Sequence, residues 1–137
     1  MGDTIHKVDY YHVQLPDKPG ETLRILLGLK EAGVNLLACC GFPIGDGRAQ
    51  IDFVPEYDEA FRKAAGRLGL ELSDRKPAFL IQGGDRVGAA ADSFAKLASG
   101  NVNIVASQAL SVGAGRWGMI LWVKPTDYER ACEALGF

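Results

Sequence analysis

Residues 16–36 read PDKPGETLRILLGLKEAGVNL, and residues 84–104 read GDRVGAAADSFAKLASGNVNI. In the first stretch Gly20 opens an apolar-rich segment that closes on Gly33-Val34-Asn35. In the second, Gly88 opens one that closes on Gly100 to Asn103, and Gly88 follows Gly20 by the same 68 positions that separate Asn103 from Asn35. The chain therefore reads as a duplication.

Outward from that stretch, residues 8–15 (VDYYHVQL) are rich in β-branched and aromatic residues and end at Pro16, which cannot donate to a sheet ladder; they predict a strand. Two prolines, an aspartate and a glycine turn the chain before Glu21. Residues 21–32 fit a helix whose apolar arc is wider than one sheet face needs, leaving Leu23 and Leu27 for a second surface. A strand over 34–42, a turn at Gly45-Asp46-Gly47 and a strand over 49–54 follow; in the latter, Ala49, Ile51 and Phe53 alternate with Gln50 and Asp52, as in a sheet with one covered face. Residues 57–68 predict a helix with Tyr57, Phe61, Ala64, Ala65 and Leu68 inward, and 70–72 a short fourth strand.

Pro77 marks the restart. A strand over 78–82, a helix over 88–99 with Ala90, Ala91, Phe94, Leu97 and Ala98 inward, and strands over 102–110 and 116–123 repeat the order. The offset of 68 persists through Gly113 and Gly115, then falls to 67, so that Phe61, Ala64, Ala65 and Leu68 match Tyr128, Ala131, Cys132 and Leu135. Cys132 is thereby placed on a buried stripe. The second copy stops after Leu135-Gly136-Phe137, without most of a last strand, which is either dispensable or supplied by a partner's edge.

Each copy reads strand, helix, strand, strand, helix, strand, the ferredoxin-like order. The expectation is an α+β chain of two tandem βαββαβ units, residues 1–75 and 76–137, each with an antiparallel sheet and helices on one face.

With 137 residues the chain is long enough to bury roughly two thirds of its unfolded surface. A net charge of −2 and no basic run argue against nucleic acid. No apolar stretch approaches the roughly 20 residues that span a bilayer, and the start lacks signal-peptide features, so a cytoplasmic location without membrane contact is expected. Three cysteines without a CxxC spacing argue for reduced thiols, with one of the adjacent pair Cys39 and Cys40 buried and the other on the open face. His6 reads as a tail residue and His12 as a strand-surface residue. Ile120 and Trp122 fall on the face opposite the expected helices, and contact with the other copy or a second subunit is the preferred explanation.

Over nearly its whole length the chain resembles a tandem pair of ACT domains. Asp17-Lys18-Pro19-Gly20 resembles that family's DxPG-like turn, and Gly33-Val34-Asn35-Leu36 its entry to the second strand. Asp85-Arg86-Val87-Gly88 and Asn101 to Ile104 stand at the matching places of the second copy with more departures.

The resemblance implies a regulatory module and not an enzyme, one that binds an amino acid or similar small ligand at an interface between domains. It implies ligand contacts at Asp17, Lys18, Pro19, Gly20 and Asn35, and at Asp85, Arg86, Val87, Gly88 and Asn103. It implies no cofactor, a homodimer or higher homo-oligomer, and a regulated enzyme as a possible partner. Independently, backbone amides at a helix start suit a carboxylate, and an amide side chain such as that of Asn35 can both donate and accept. Two alternatives stand beside this reading: an interaction module without ligand, working through Leu23, Leu27, Ile120 and Trp122, and an acylphosphatase-like hydrolase using the loop 82–88.

Overall fold

The structure is a computed structural model and describes residues 2–137. Its elements are β1 (Thr4–Pro16), α1 (Glu21–Glu31), β2 (Leu36–Gly45), β3 (Arg48–Pro55), α2 (Asp58–Arg67), β4 (Lys76–Gly84), α3 (Ala91–Ser99), β5 (Ile104–Gly113), β6 (Arg116–Val123) and α4 (Tyr128–Leu135), with a 3-10 turn at Pro125–Asp127 before α4. The strands are antiparallel and the class is α+β, two tandem ferredoxin-like units.

By packing, the described chain forms one unit from Asp9–Lys76 and another from Pro77–Phe137 together with the residues up to Val8. The sequence places one boundary, after residue 75. The later unit starts at Pro77 and also takes the segment before Asp9.

In the unit Asp9–Lys76 the strands run β2-β3-β1. β3 pairs with β1 from Tyr11↔Phe53 to Pro16↔Arg48, and with β2 from Leu36↔Pro55 to Gly45↔Arg48. Ile25 and Leu29 of α1 and Phe61 and Ala64 of α2 close over Tyr11, Val13, Leu15, Ile51 and Phe53. The expected fourth strand over 70–72 is not a strand. It is a segment outside the ladder whose Leu70 and Leu72 pack on that core, tied to β1 at Ser73, whose N–H donates to the His12 carbonyl at 3.0 Å and whose Oγ accepts from the His12 N–H at 2.9 Å.

In the other unit β4 pairs with β6 from Phe79↔Leu121 to Gly84↔Arg116, and β5 with β6 from Ile104↔Val123 to Gly113↔Arg116. The ladder of β5 and β6 repeats that of β2 and β3 at an offset of 68, including the register shifts, which fall at Leu36/Ala38 and Pro43/Gly45 in one copy and at Ile104/Ala106 and Ser111/Gly113 in the other. Duplication thus extends to the bulges.

The first half of β1 completes this unit. The order is β1-β4-β6-β5, with Ile5 packed on the core built from Phe79, Ile81, Leu97, Met119 and Leu121. Asp3 lies against Gly83, and the Lys7 ammonium sits 4.8 Å over the ring of Phe137, which stacks on Phe79. The place of the second copy's last strand is therefore filled by the first half of β1, neither left empty nor borrowed from a partner. β1 begins four residues earlier than the sequence pattern indicates, and His6 belongs to a strand.

Three further expectations are corrected. Tyr57 is the residue before α2 and is 69% exposed. In α3 the inward stripe is Ser93 and Leu97, with Phe94 and Ala98 exposed; these two inward positions match Ile25 and Leu29 of α1 at the offset of 68. Finally, the face of β3 that carries Asp52 is not open: Asp52, at 8% exposed, is buried along with Val54; Ile120 and Trp122 of β6 are buried too. Alternation in the sequence marked the polarity of that face but not its burial. No helix among the described residues is long and apolar enough to cross a membrane.

Candidate functional site

In both copies a backbone bond ties the turn after the first strand to another part of its unit. The Asp17 N–H donates to the Gly47 carbonyl at 2.9 Å, and the Asp85 N–H donates to the Gly115 carbonyl at 2.8 Å. Each bond fastens the turn to the hairpin of its own unit. Gly20 (φ +91°) and Gly88 (φ +72°) take the left-handed conformation that only glycine adopts without strain, and a Cβ at either would meet open space.

The side chains diverge from there. Asp17, Lys18, Pro19 and Gly20 are all exposed, as is Asn35, and no hydrogen bond or ion pair within the chain engages the side chains of Asp17, Lys18 or Asn35 among the described residues. No side chain caps α1. In the second copy, Asp85 accepts a 2.7 Å bond from the Ser111 hydroxyl. Arg86 is engaged through both terminal nitrogens: Nη1 and Nη2 donate to the two carboxylate oxygens of Asp3 at 2.9 and 3.0 Å, Nη1 to the Gly84 carbonyl at 3.0 Å, and Nη2 to Asp92 at 2.7 Å. Its partners hold the guanidinium pKa above the usual value, and Arg86 in turn holds the Asp3 carboxyl below the ordinary carboxylate range. Val87 projects into solvent, and α3 starts only at Ala91, because Gly88 and the residues after it spend an extra turn before the helix.

The structure does not bring Asn35 to the Asp17–Gly20 turn. The turn leads into the start of α1 and lies by the hairpin of β2 and β3; Asn35 lies past the other end of α1, where its carbonyl accepts from the Glu56 N–H at 3.0 Å. An 11-residue helix separates them, on the order of 16 Å. Asn103 is likewise exposed and lies past the far end of α3 from Asp85–Gly88. Within one unit, neither asparagine can share a small ligand with its turn.

A cleft of about 370 Å³ lies instead at the Asp3–Arg86 pair, lined among others by Ile5, Asp92, Ser93 and Lys96. The Trp117 indole Nε1 donates to Asp3 there at 3.3 Å. Asp3, Asp92, Lys96 and Trp117 are absent from the sequence reading, which treats the first residues as a tail. Arg86 itself gave no hint, since at the offset of 68 it matches Lys18, another cation, in the first copy.

Cys39 is exposed and Cys40 half-buried, so neither is the core thiol expected, while Cys132 is buried as expected. Local burial pushes both the Cys39 and Cys40 thiols up, the opposite of what a nucleophile needs. No group of three His, Cys, Asp or Glu side chains among the described residues is placed to hold a metal.

No protein-family model matches the sequence, and no curated protein does. Solved structures do. Protein BT0572 from Bacteroides thetaiotaomicron is similar with a TM-score of 0.78 at 17% identity, over 96% of this chain and 88% of that one. The regulatory subunit of aspartate kinase from Thermus thermophilus, in its ligand-free form, gives 0.66 at 21% identity over 98% and 95%. The corresponding subunit from Thermus flavus gives 0.62 at 21% identity over the same shares. The chain thus has the tandem ACT-like fold of these regulatory subunits.

Proposed function

We propose that this chain is a regulatory module without catalytic activity of its own, which binds a small ligand, an amino acid first of all, at the Asp17–Gly20 turn. The observation that carries this reading is the contrast within the first copy: the turn backbone is fixed to Gly47, while the side chains of Asp17, Lys18 and Asn35 have no partner among the described residues. A ligand carboxylate suits the uncapped amides at the start of α1, and Asp17 suits an ammonium. Asn35 lies too far away to join from the same unit, so the ligand lies between two copies of the chain, the turn of one meeting the Asn35 end of the other. Such a homo-oligomer acts in the cytoplasm on an enzyme. The fold shared with regulatory subunits of aspartate kinase supports the regulatory part of the reading.

A thermal-shift screen of the full chain against the twenty amino acids tests it. One or a few should raise the melting temperature, since a ligand at 100 times its dissociation constant stabilises by about 2.7 kcal/mol. Asn35→Ala and Asp17→Ala should each remove the rise. A flat screen sinks the ligand reading. A ligand-bound species that sediments as a monomer sinks the two-copy geometry.

One observation favours a second reading, an interaction module without ligand: Leu23 and Leu27 on α1 are 58% and 45% exposed. That reading gains if the screen is flat and Leu27→Asp changes the association state.

A further inference from the structure

The carboxylate of Asp3 occupies a cradle more elaborate than an ion pair requires. Arg86 meets it with two parallel bonds, at 2.9 and 3.0 Å, the geometry in which guanidinium recognises a planar carboxylate. The Trp117 indole adds a third donor at 3.3 Å. The cradle's floor is Gly83, where a Cβ would overlap the carboxylate itself and stand 3.1 Å from the indole nitrogen. Asp92 and the Gly84 carbonyl hold the guanidinium from other sides, so its orientation does not depend on Asp3.

Two features mark Asp3 as a removable occupant. It precedes Thr4, the first residue of β1, so its side chain can leave without breaking the strand ladder. Beside it the cleft of about 370 Å³ stays open, with the Lys96 side chain in its wall, at the lower end of the volumes that hold small ligands. When Asp3 leaves, Arg86 and Lys96 face one remaining carboxylate, that of Asp92, and the cleft has a positive charge to offer.

We propose that Gly83, Arg86 and Trp117 form a binding site for a small free carboxylate, and that Asp3 is its built-in occupant, an autoinhibitory contact that the ligand displaces. This does not rest on ligand binding at the Asp17–Gly20 turn. Each site can be lost without the other.

The test uses the full chain and malonate as the probe, read by calorimetry and by the Trp117 indole N–H resonance. A tethered competitor acts at a millimolar effective concentration, so Asp3→Ala should bind malonate at least about tenfold more tightly than the unaltered protein, with the Trp117 resonance shifting on saturation. Adding Arg86→Gln to Asp3→Ala should abolish that binding. The proposal is overturned if Asp3→Ala binds malonate no more tightly than the unaltered chain, if the double variant binds equally well, or if inorganic phosphate binds Asp3→Ala as tightly as malonate does. Should Asp3→Ala lose its far-UV circular dichroism spectrum, Asp3→Asn, which keeps the size but not the charge, carries the same comparisons.

Discussion

The hydroxyl of Tyr11, on β1, donates to the carboxylate of Asp58 at the start of α2, 47 residues later. The bond pins a helix end to a central strand, and Arg75 approaches the same carboxylate at 3.5 Å. Burial, and then Asp58, push the Tyr11 phenol up to about 12. A phenol whose folded pKa lies above its unfolded value of roughly 10 favours the folded state fully below that value, and the advantage is lost as pH rises toward 12. The melting temperature of the unaltered protein should therefore fall more between pH 9 and pH 11.5 than that of Tyr11→Phe. Equal falls would remove Tyr11 as the cause.

Gly83 and Gly84 are neighbours with opposite demands. A Cβ at Gly83 meets the Asp3 carboxylate, whereas one at Gly84 meets nothing within 4 Å. Gly83→Ala should expel Asp3 and destabilise the protein by roughly 1–3 kcal/mol in urea unfolding, while Gly84→Ala should stay within about 0.5 kcal/mol. The reverse order would mean that the cradle is not closed as described.

That pair also marks where sequence reading stops. The repeat, the element order and the fold class were legible because glycine turns and apolar periodicity recur at one offset, and the register shifts of β2/β3 and β5/β6 recur with them. Position along the chain carried no such signal for Asp3. Its partners Arg86 and Trp117 lie 83 and 114 residues away, and a short polar start looks the same whether or not it closes a sheet. Ser93 shows a second limit: helical periodicity placed the larger Phe94 inward beside Leu97, while the structure buries Ser93 with Leu97 and leaves Phe94 exposed. The burial of Asp52 shows a third, since alternation reports which side chains share a face and not whether the face is covered.

On α1, Leu29 and Leu27 separate packing from surface. Leu29 is 1% exposed within the core around Phe53, and Leu27 is on the outer side. Leu29→Ala should cost about 2–5 kcal/mol. Leu27→Ala should cost within about 0.5 kcal/mol at protein concentrations where the chain is monomeric. If α1 forms part of a contact between copies, Leu27→Asp should shift sedimentation toward the monomer without lowering the monomer's stability; an unchanged profile would remove α1 from any such contact.

His12 on β1 faces Lys76, whose ammonium lies 3.5 Å from its Nδ1, and stands opposite Asp52 of β3 in the ladder. Burial and the lysine together pull its pKa below the ordinary histidine value, and Asp52 opposes them without cancelling them. The folded state therefore favours neutral imidazole. For a base whose folded pKa is depressed, the stabilisation is complete above the unfolded value of about 6.5 and is lost as pH falls through the folded one. Between pH 7.5 and pH 5 the unaltered protein should lose more stability in urea than His12→Gln, which carries no titrating ring. Lys76→Met should shrink the loss as well, because it removes the cation that a protonated His12 would face. If Lys76→Met leaves the acid-side slope unchanged while His12→Gln flattens it, burial alone sets the His12 response and the lysine has no part in it.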